Sequence, residues 1–308
     1  IVGCGSGVSF VPRRPQVAPD ERIDQNPVMA PPKIREVDFR DLMHLEPHGP
    51  DTYVGIVAKY PWGDRLFGGQ VVAQGLRAAI HTVDPERRAH SLHSYFIRPG
   101  SPHEPIRFEV ERLRDGRSFS TRQVVARQSA GAILNLSVSF QVDENEADVQ
   151  LTSIPDTVPP PDDPSLVDYS WGAMLDRKTA DPGPDRVGYW IRLDAEFGDD
   201  PDLHLCGLAF MSDAAPSRAG RSPHPDFTND PSDRFKFIGA SLDHSLWFQR
   251  PSRADEWHWF DLKSHGLAGG RGLVTGDILT QSGMQAASFS QEVLLRRRRD
   301  EPKGAPES

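Results

Sequence analysis

The chain has 308 residues, 37% of them hydrophobic, and carries 44 acidic against 35 basic side chains for a formal net charge of −9. That is enough chain and apolar content for two ordinary domains, and the negative charge argues against nucleic acid as a partner. No stretch approaches the roughly 20 apolar residues needed to span a bilayer, and Cys4 and Cys206 are too far apart to suggest a disulfide framework or a zinc site, which points to a reducing, cytoplasmic setting.

Residues 1–35 are rich in Pro, Gly and Arg and lack periodicity, the composition of a disordered leader. The sequence opens on Ile1, so Met29 is the expected native start; Ile1-Val2-Gly3-Cys4 could pass for the end of a lipoprotein signal, but no charged start and apolar run precede it. A first unit is expected over 36–145. Within it, Leu66 to Val83 is apolar or small on nearly every face, the pattern of a helix enclosed by other structure, with Gly68-Gly69 at its start. Ile106, Phe108 and Val110 then alternate with Arg107, Glu109 and Glu111, a half-buried antiparallel strand. Further strands are predicted at Ser118 to Gln128 and Ala132 to Val142, separated by turn signals.

Residues 146–168, rich in Pro, Asp and Ser, read as a linker to a second unit over 169–296. There a strand at Val187 to Leu193 precedes a second all-apolar helix, Leu203 to Ser212. A Gly/Pro/Ser-rich loop, Ala214 to Asp233, interrupts the unit, and strands follow at Gly239 to Gln249, Glu256 to Lys263, Gly272 to Thr280 and Gln285 to Leu295. Residues 297–308 read as a solvated tail whose final Pro-Glu-Ser is not the Ser-Lys-Leu peroxisomal address.

The two units share punctuation. HSLHSYFIRP (90–99) is matched by SLDHSLWFQRP (241–251); each is followed by Gly-Arg (116–117; 270–271), Gln-Ser (128–129; 281–282) and a closing glutamine, Gln141 or Gln291. Self-similarity at long period implies two related units packed together.

A helix followed by an antiparallel meander, twice in one chain, resembles the double hotdog fold, an α+β architecture in which each sheet wraps a central helix. The local motifs resemble the acyl-CoA thioesterase II (TesB-like) family: Phe67-Gly68-Gly69-Gln70-Val71-Val72, His93-Ser94-Tyr95-Phe96 with Arg98-Pro99-Gly100, Arg114-Asp115-Gly116 with Ser118-Phe119, and Asp243-His244-Ser245 with Trp247-Phe248 and Arg250-Pro251. The resemblance covers about residues 40–295. It implies hydrolysis of fatty acyl-CoA to free acid and CoA with no metal or redox cofactor, and a homo-oligomer is expected. It also implies that the reactive water is held by an aspartate ending the second helix, a hydroxyl two residues before Asp-His-Ser, and a glutamine in the last strand. Those positions are Asp213, Ser241 and Gln291.

The residues themselves leave alternatives open. Asp213 read alone is a surface residue ending a helix, although a carboxylate at a helix C-terminus meets the unfavourable end of the dipole, at about 0.3 to 1 kcal/mol. Ser241 stands where the family commonly has Thr, keeping the hydroxyl but losing the methyl that helps fix its rotamer. Gln141 is the repeat partner of Gln291 but has no matching Asp or hydroxyl neighbour. Asp243 and His244 are adjacent on a strand, so their side chains point to opposite faces and cannot cooperate directly; structural or pocket-shaping roles are expected. Gly68-Gly69 could present N–H groups to an anion, but packing is the expected role. The six tryptophans are expected as core and interface aromatics.

Arg65, Arg98, Arg250 and Arg271 are candidates to meet the CoA phosphates. The loop 214–233 is expected to be an extended, mobile cover that gates acyl-chain entry, with Arg218 and Arg221 adding charge attraction. Thioester hydrolysis needs a polarised water and donors for the oxyanion, and no G-x-S-x-G elbow supports a serine nucleophile. Two rival functions stand beside it: a hotdog enoyl-CoA hydratase or dehydratase, which would need an Asp and a His on one face, and a non-hydrolytic acyl-CoA-binding protein.

Overall fold

The structure is a computed structural model and describes residues 37–60, 65–168, 170, 174–180, 186–227 and 236–298. The leader, Met29, Cys4, Trp62, Trp171, the tail beyond Arg298 and the end of the 214–233 loop lie outside the described residues.

The first half begins with a one-turn helix α1 (Phe39–Leu42) and short strands β1 (Leu45–Pro47) and β2 (Thr52–Gly55), none foreseen from periodicity because each is too short to show one. Helix α2 (Gly68–Ile80) follows, then the long strands β3 (Arg87–Phe96), β4 (Ile106–Asp115), β5 (Phe119–Gln128) and β6 (Gly131–Val142). The second half holds β7 (Val167–Asp168), β8 (Leu175–Ala180), β9 (Arg186–Leu193), helices α3 (Pro201–Ser212) and α4 (Pro216–Arg221), then β10 (Phe237–Ser241), β11 (Asp243–Phe248), β12 (His258–Ala268), β13 (Arg271–Thr280) and β14 (Gln285–Arg297).

All the strands join one antiparallel sheet in the order β1-β2-β4-β5-β6-β3-β11-β14-β13-β12-β9-β8-β7, with β10 also on β14. The halves meet where β3 pairs with β11, Tyr95 opposite Asp243 and Ser91 opposite Trp247. Each half curls its part of the sheet around its own helix, and α2 and α3 pack on each other between them. This is the double hotdog architecture. Val72, Ala73, Leu76, Ala78 and Ala79 of α2 have no exposed surface, and each large apolar side chain so buried contributes roughly 1.5 to 3 kcal/mol. Among the described residues no helix is long and apolar enough to cross a membrane.

Two expectations change. The stretch 239–249 is not one strand: pairing breaks at Leu242, between β10 and β11. The loop 214–233 is not an extended cover over its first part, because Pro216 to Arg221 forms α4, packed on β9, β12, β13 and β14. Pro at the first helical turn starts it, and Gly220 lets it lie so close that a Cβ there would meet Val293 Cγ2 at 2.3 Å. Arg218 turns to Tyr189, with Nη1 3.3 Å from the phenol oxygen, and Arg221 donates to Ser217 O. Both arginines lie on this helix and not on an extended loop.

The segment between the halves is tied down. Gln150 Nε2 donates to Gly283 O, Lys178 Nζ to Pro161 O and Trp190 Nε1 to Pro159 O. Ile154, Val158 and Leu166 pack on Trp190, Trp259 and Leu279, on the sheet face opposite α3.

Candidate active site

Asp213 is the C-cap of α3 and only 9% exposed. Its Oδ1 accepts from Ser241 Oγ at 3.0 Å and from Gln291 Nε2 at 2.9 Å, and Gln291 Nε2 also donates to Ser241 Oγ at 2.7 Å. The three residues singled out in the sequence, 28 to 78 positions apart, therefore meet in one hydrogen-bonded triangle.

The place Asp213 occupies resolves the dipole objection. It sits at the unfavourable end of α3 but also at the favourable start of α2, whose N-cap residue Phe67 makes no side-chain capping bond. The backbone N–H of Gly69 donates to the Asp213 carboxylate, so the second half caps the first half's helix. Gly68 and Gly69 thus belong to the site, which packing alone did not anticipate. A Cβ on Gly68 would lie 2.5 Å from Asp213 Oδ2, and one on Gly69 2.4 Å from the Phe210 carbonyl oxygen. Burial pushes the Asp213 carboxyl up to about 6, against the hydrogen bonds from Gln291, Ser241 and Gly69 that favour its charged form.

A further layer was missed. His244 Nδ1 lies 2.7 Å from Gln291 Oε1, and His244 Nε2 lies 2.8 Å from Ser212 Oγ. Ser212, His244 and Gln291 have no exposed surface. In an unbroken strand Ser241 and His244, three apart, would face opposite ways. The break at Leu242 reverses this: Ser241 stands opposite Val293 and Ser245 opposite Ser290, so four residues on one strand advance against three on the other. That one-residue slip turns both side chains toward Gln291. Asp243 supports it by accepting from Glu292 N at 2.7 Å. The only signal in the sequence was the Asp-His pair itself, for which period-two reasoning gave a structural or pocket-shaping role and no bond to Gln291. Burial pulls the His244 imidazole down to about 4.

Other candidates are engaged elsewhere. Arg250 pairs with Asp148, Arg271 with Glu292, and Arg98 donates to Ala132 O; Arg65 is exposed, three residues before Gly68. Gln141 donates to Glu144 and is not fully buried. Among the described residues no cluster of His, Cys, Asp or Glu could hold a metal ion.

The chain matches two family models: "acyl-CoA thioesterase N-terminal domain" over residues 58–141 and "acyl-CoA thioesterase C-terminal domain" over 150–295. It is 34% identical to acyl-coenzyme A thioesterase 8 of Mus musculus, over 85% of this chain and 90% of that one. To acyl-CoA thioesterase 2 of Haemophilus influenzae it is 31% identical, over 75% and 88%. The solved structure of acyl-CoA thioesterase II TesB2 from Mycobacterium marinum superposes with a TM-score of 0.72 at 35% identity, covering 85% of this chain and 98% of that one.

Proposed function

The chain belongs to the TesB-like acyl-CoA thioesterase II family and hydrolyses acyl-CoA thioesters, and from that premise we propose that Asp213, Ser241 and Gln291 hold and deprotonate the attacking water. Ser241 and Gln291 both donate to Asp213 Oδ1, and Oδ2, the oxygen beside Gly68, takes the proton. Attack forms a C–O bond at the thioester carbon and moves negative charge to the carbonyl oxygen. With the Gly69 N–H turned to Asp213 and that of Gln70 to Phe67 O, the Gly68 N–H and the positive end of the α2 dipole meet that charge. Collapse breaks the C–S bond, the CoA thiolate takes the proton from Asp213, and the carboxylate is restored. The scheme needs no metal or redox cofactor.

One observation carries this reading: two side-chain donors converge on one oxygen of a buried carboxylate whose pKa, about 6, leaves it ionised yet basic near neutral pH. The acyl chain is fatty and enters where α2 and α3 meet, beside Phe67, Phe96 and Phe210, and Arg65 meets the CoA phosphates. Exposed Tyr95 and Trp247 on the outer sheet face, at 69% and 40%, support a homo-oligomer. The hydratase alternative is disfavoured because both nitrogens of His244 are committed to Gln291 and Ser212. Incubation with palmitoyl-CoA and a thiol reagent tests the function: steady release of free CoA is expected, and tight binding without release would sink it.

A further inference from the structure

His244 stands behind Gln291, away from Asp213, and its two ring nitrogens link Ser212 to the amide. The donor at the Gln291 link is set by chemistry. Gln291 Nε2 faces the Asp213 carboxylate at 2.9 Å; the reversed amide would put oxygen against oxygen there. Its Oε1 therefore faces His244 Nδ1, and an amide oxygen only accepts, so Nδ1 carries a proton. A neutral imidazole has one N–H, which leaves Nε2 as an acceptor and makes the Ser212 hydroxyl its donor, although Ala209 O also lies 2.8 Å from that hydroxyl. The opposite arrangement is the competing state: Ser212 donating to Ala209 O, Nε2 protonated and the Gln291 amide reversed.

We propose that His244, held by Ser212 as its Nδ1–H tautomer, is the positioning residue that fixes the Gln291 amide with its NH2 toward Asp213 and Ser241. This rests on the reading of Gln291 as part of the water-holding set. His244 does not touch the reacting atoms; it decides which end of Gln291 does. Its low pKa keeps the ring neutral at working pH, so the tautomer, not the charge, carries the information.

Two substitutions separate this from a packing role. In His244→Asn the amide nitrogen takes the place of Nδ1 and still donates; His244→Leu fills similar space without a donor. His244→Asn is expected to keep kcat within about 3-fold, whereas His244→Leu loses about 10-fold in kcat at unchanged KM, less than removal of a direct donor. Ser212→Ala is expected to lower kcat about 5-fold in the wild type, which frees the tautomer, and to have no such effect on the His244→Asn background, where there is no tautomer to choose. Equal losses in the Asn and Leu variants would overturn the proposal.

A readout independent of folding in the variants is the ring 15N spectrum of the wild-type protein, with the His244 signals assigned by their loss in His244→Asn. A protonated Nδ1 is expected, and a protonated Nε2 overturns the proposal. Gln291→Ala run alongside keeps the two readings distinct. If that variant stays fully active, the water-holding reading falls; if it is inactive while His244→Asn and His244→Leu behave alike, only the role of His244 falls.

Discussion

The two halves place a helix in the same position and end it in opposite ways. Helix α2 has Arg77 in its last turn, the charge sense that a helix C-terminus favours, and ends on His81, stacked on Tyr53 at 5.3 Å. Helix α3 has no basic residue in its last turn and ends on Asp213. Their buried polar groups differ in the same way. Gln70 and Gln74 of α2 serve the backbone, bonding Ala58 N, Ile56 O and Leu42 O and so stitching the entering chain to the helix. Ser212, Asp213, His244 and Gln291 bond mainly to one another around a carboxylate. One half spends its buried polarity on holding the fold. The other breaks the stability rules in one place, as functional sites do.

The sharpest way to break this contrast is Asp213→Asn. Turnover should fall about 100-fold or more, the range of a placed acid–base group, and wild-type kcat/KM should decline as pH drops below about 6, where Asp213 takes up a proton. Stability should move the other way. Burial raises the Asp213 pKa from 3.8 to about 6, so the folded state binds that proton more tightly than the unfolded chain, and stability falls as pH rises through this window. At pH 8 the Asn variant should therefore be more stable, by on the order of 1 to 3 kcal/mol, and the advantage should fade toward pH 4. A variant less stable than wild type at pH 8 would mean that the hydrogen bonds to the carboxylate outweigh its desolvation.

Next in size is the pair of glutamines. Gln291→Ala should lower kcat by roughly 10- to 100-fold, since it removes a donor to Asp213 and Ser241. Gln141→Ala, on the half-exposed side of β6, should change stability by less than about 0.5 kcal/mol and leave kcat alone. Matched kinetic losses at matched melting temperature would show that the first half contributes more to catalysis than Gly68 and Gly69. The smallest effect belongs to Arg218→Ala. With the guanidinium set against Tyr189, the change should lower stability by about 0.5 to 1 kcal/mol. A rise in KM for acyl-CoA at low salt, with stability unchanged, would instead return Arg218 to the substrate.

What was legible in the sequence were the elements long enough to show a period. The two apolar helices, the meander strands and the repeat of Arg-Pro punctuation carry the architecture, and ordered motifs carried the resemblance that named Asp213, Ser241 and Gln291. What was not legible depends on contacts between halves or on a slip of one residue. Gly69 meets Asp213 only because α2 and α3 pack end to start. His244 reaches Gln291 only because the ladder slips at Leu242, and a rule of strict alternation excludes it there. Helix α4 was hidden because Pro216 and Gly220, which read as loop residues, serve as its starting turn and its close approach to Val293.

The β3–β11 seam has a consequence for dissecting the molecule. These two strands hydrogen-bond along Ser91 to Tyr95 against Asp243 to Trp247, so cutting the chain between the halves would leave each fragment with a raw inner edge of unpaired N–H and C=O groups. Each fragment would also lack half of the carboxylate's surroundings, because Gly69 is on one and Asp213 on the other. Separately produced pieces should stick to themselves or precipitate and show no turnover, while pieces made together in one cell should zip along that seam and recover it. On that outcome the two halves would be the subunits of an obligate heterodimer translated as one chain.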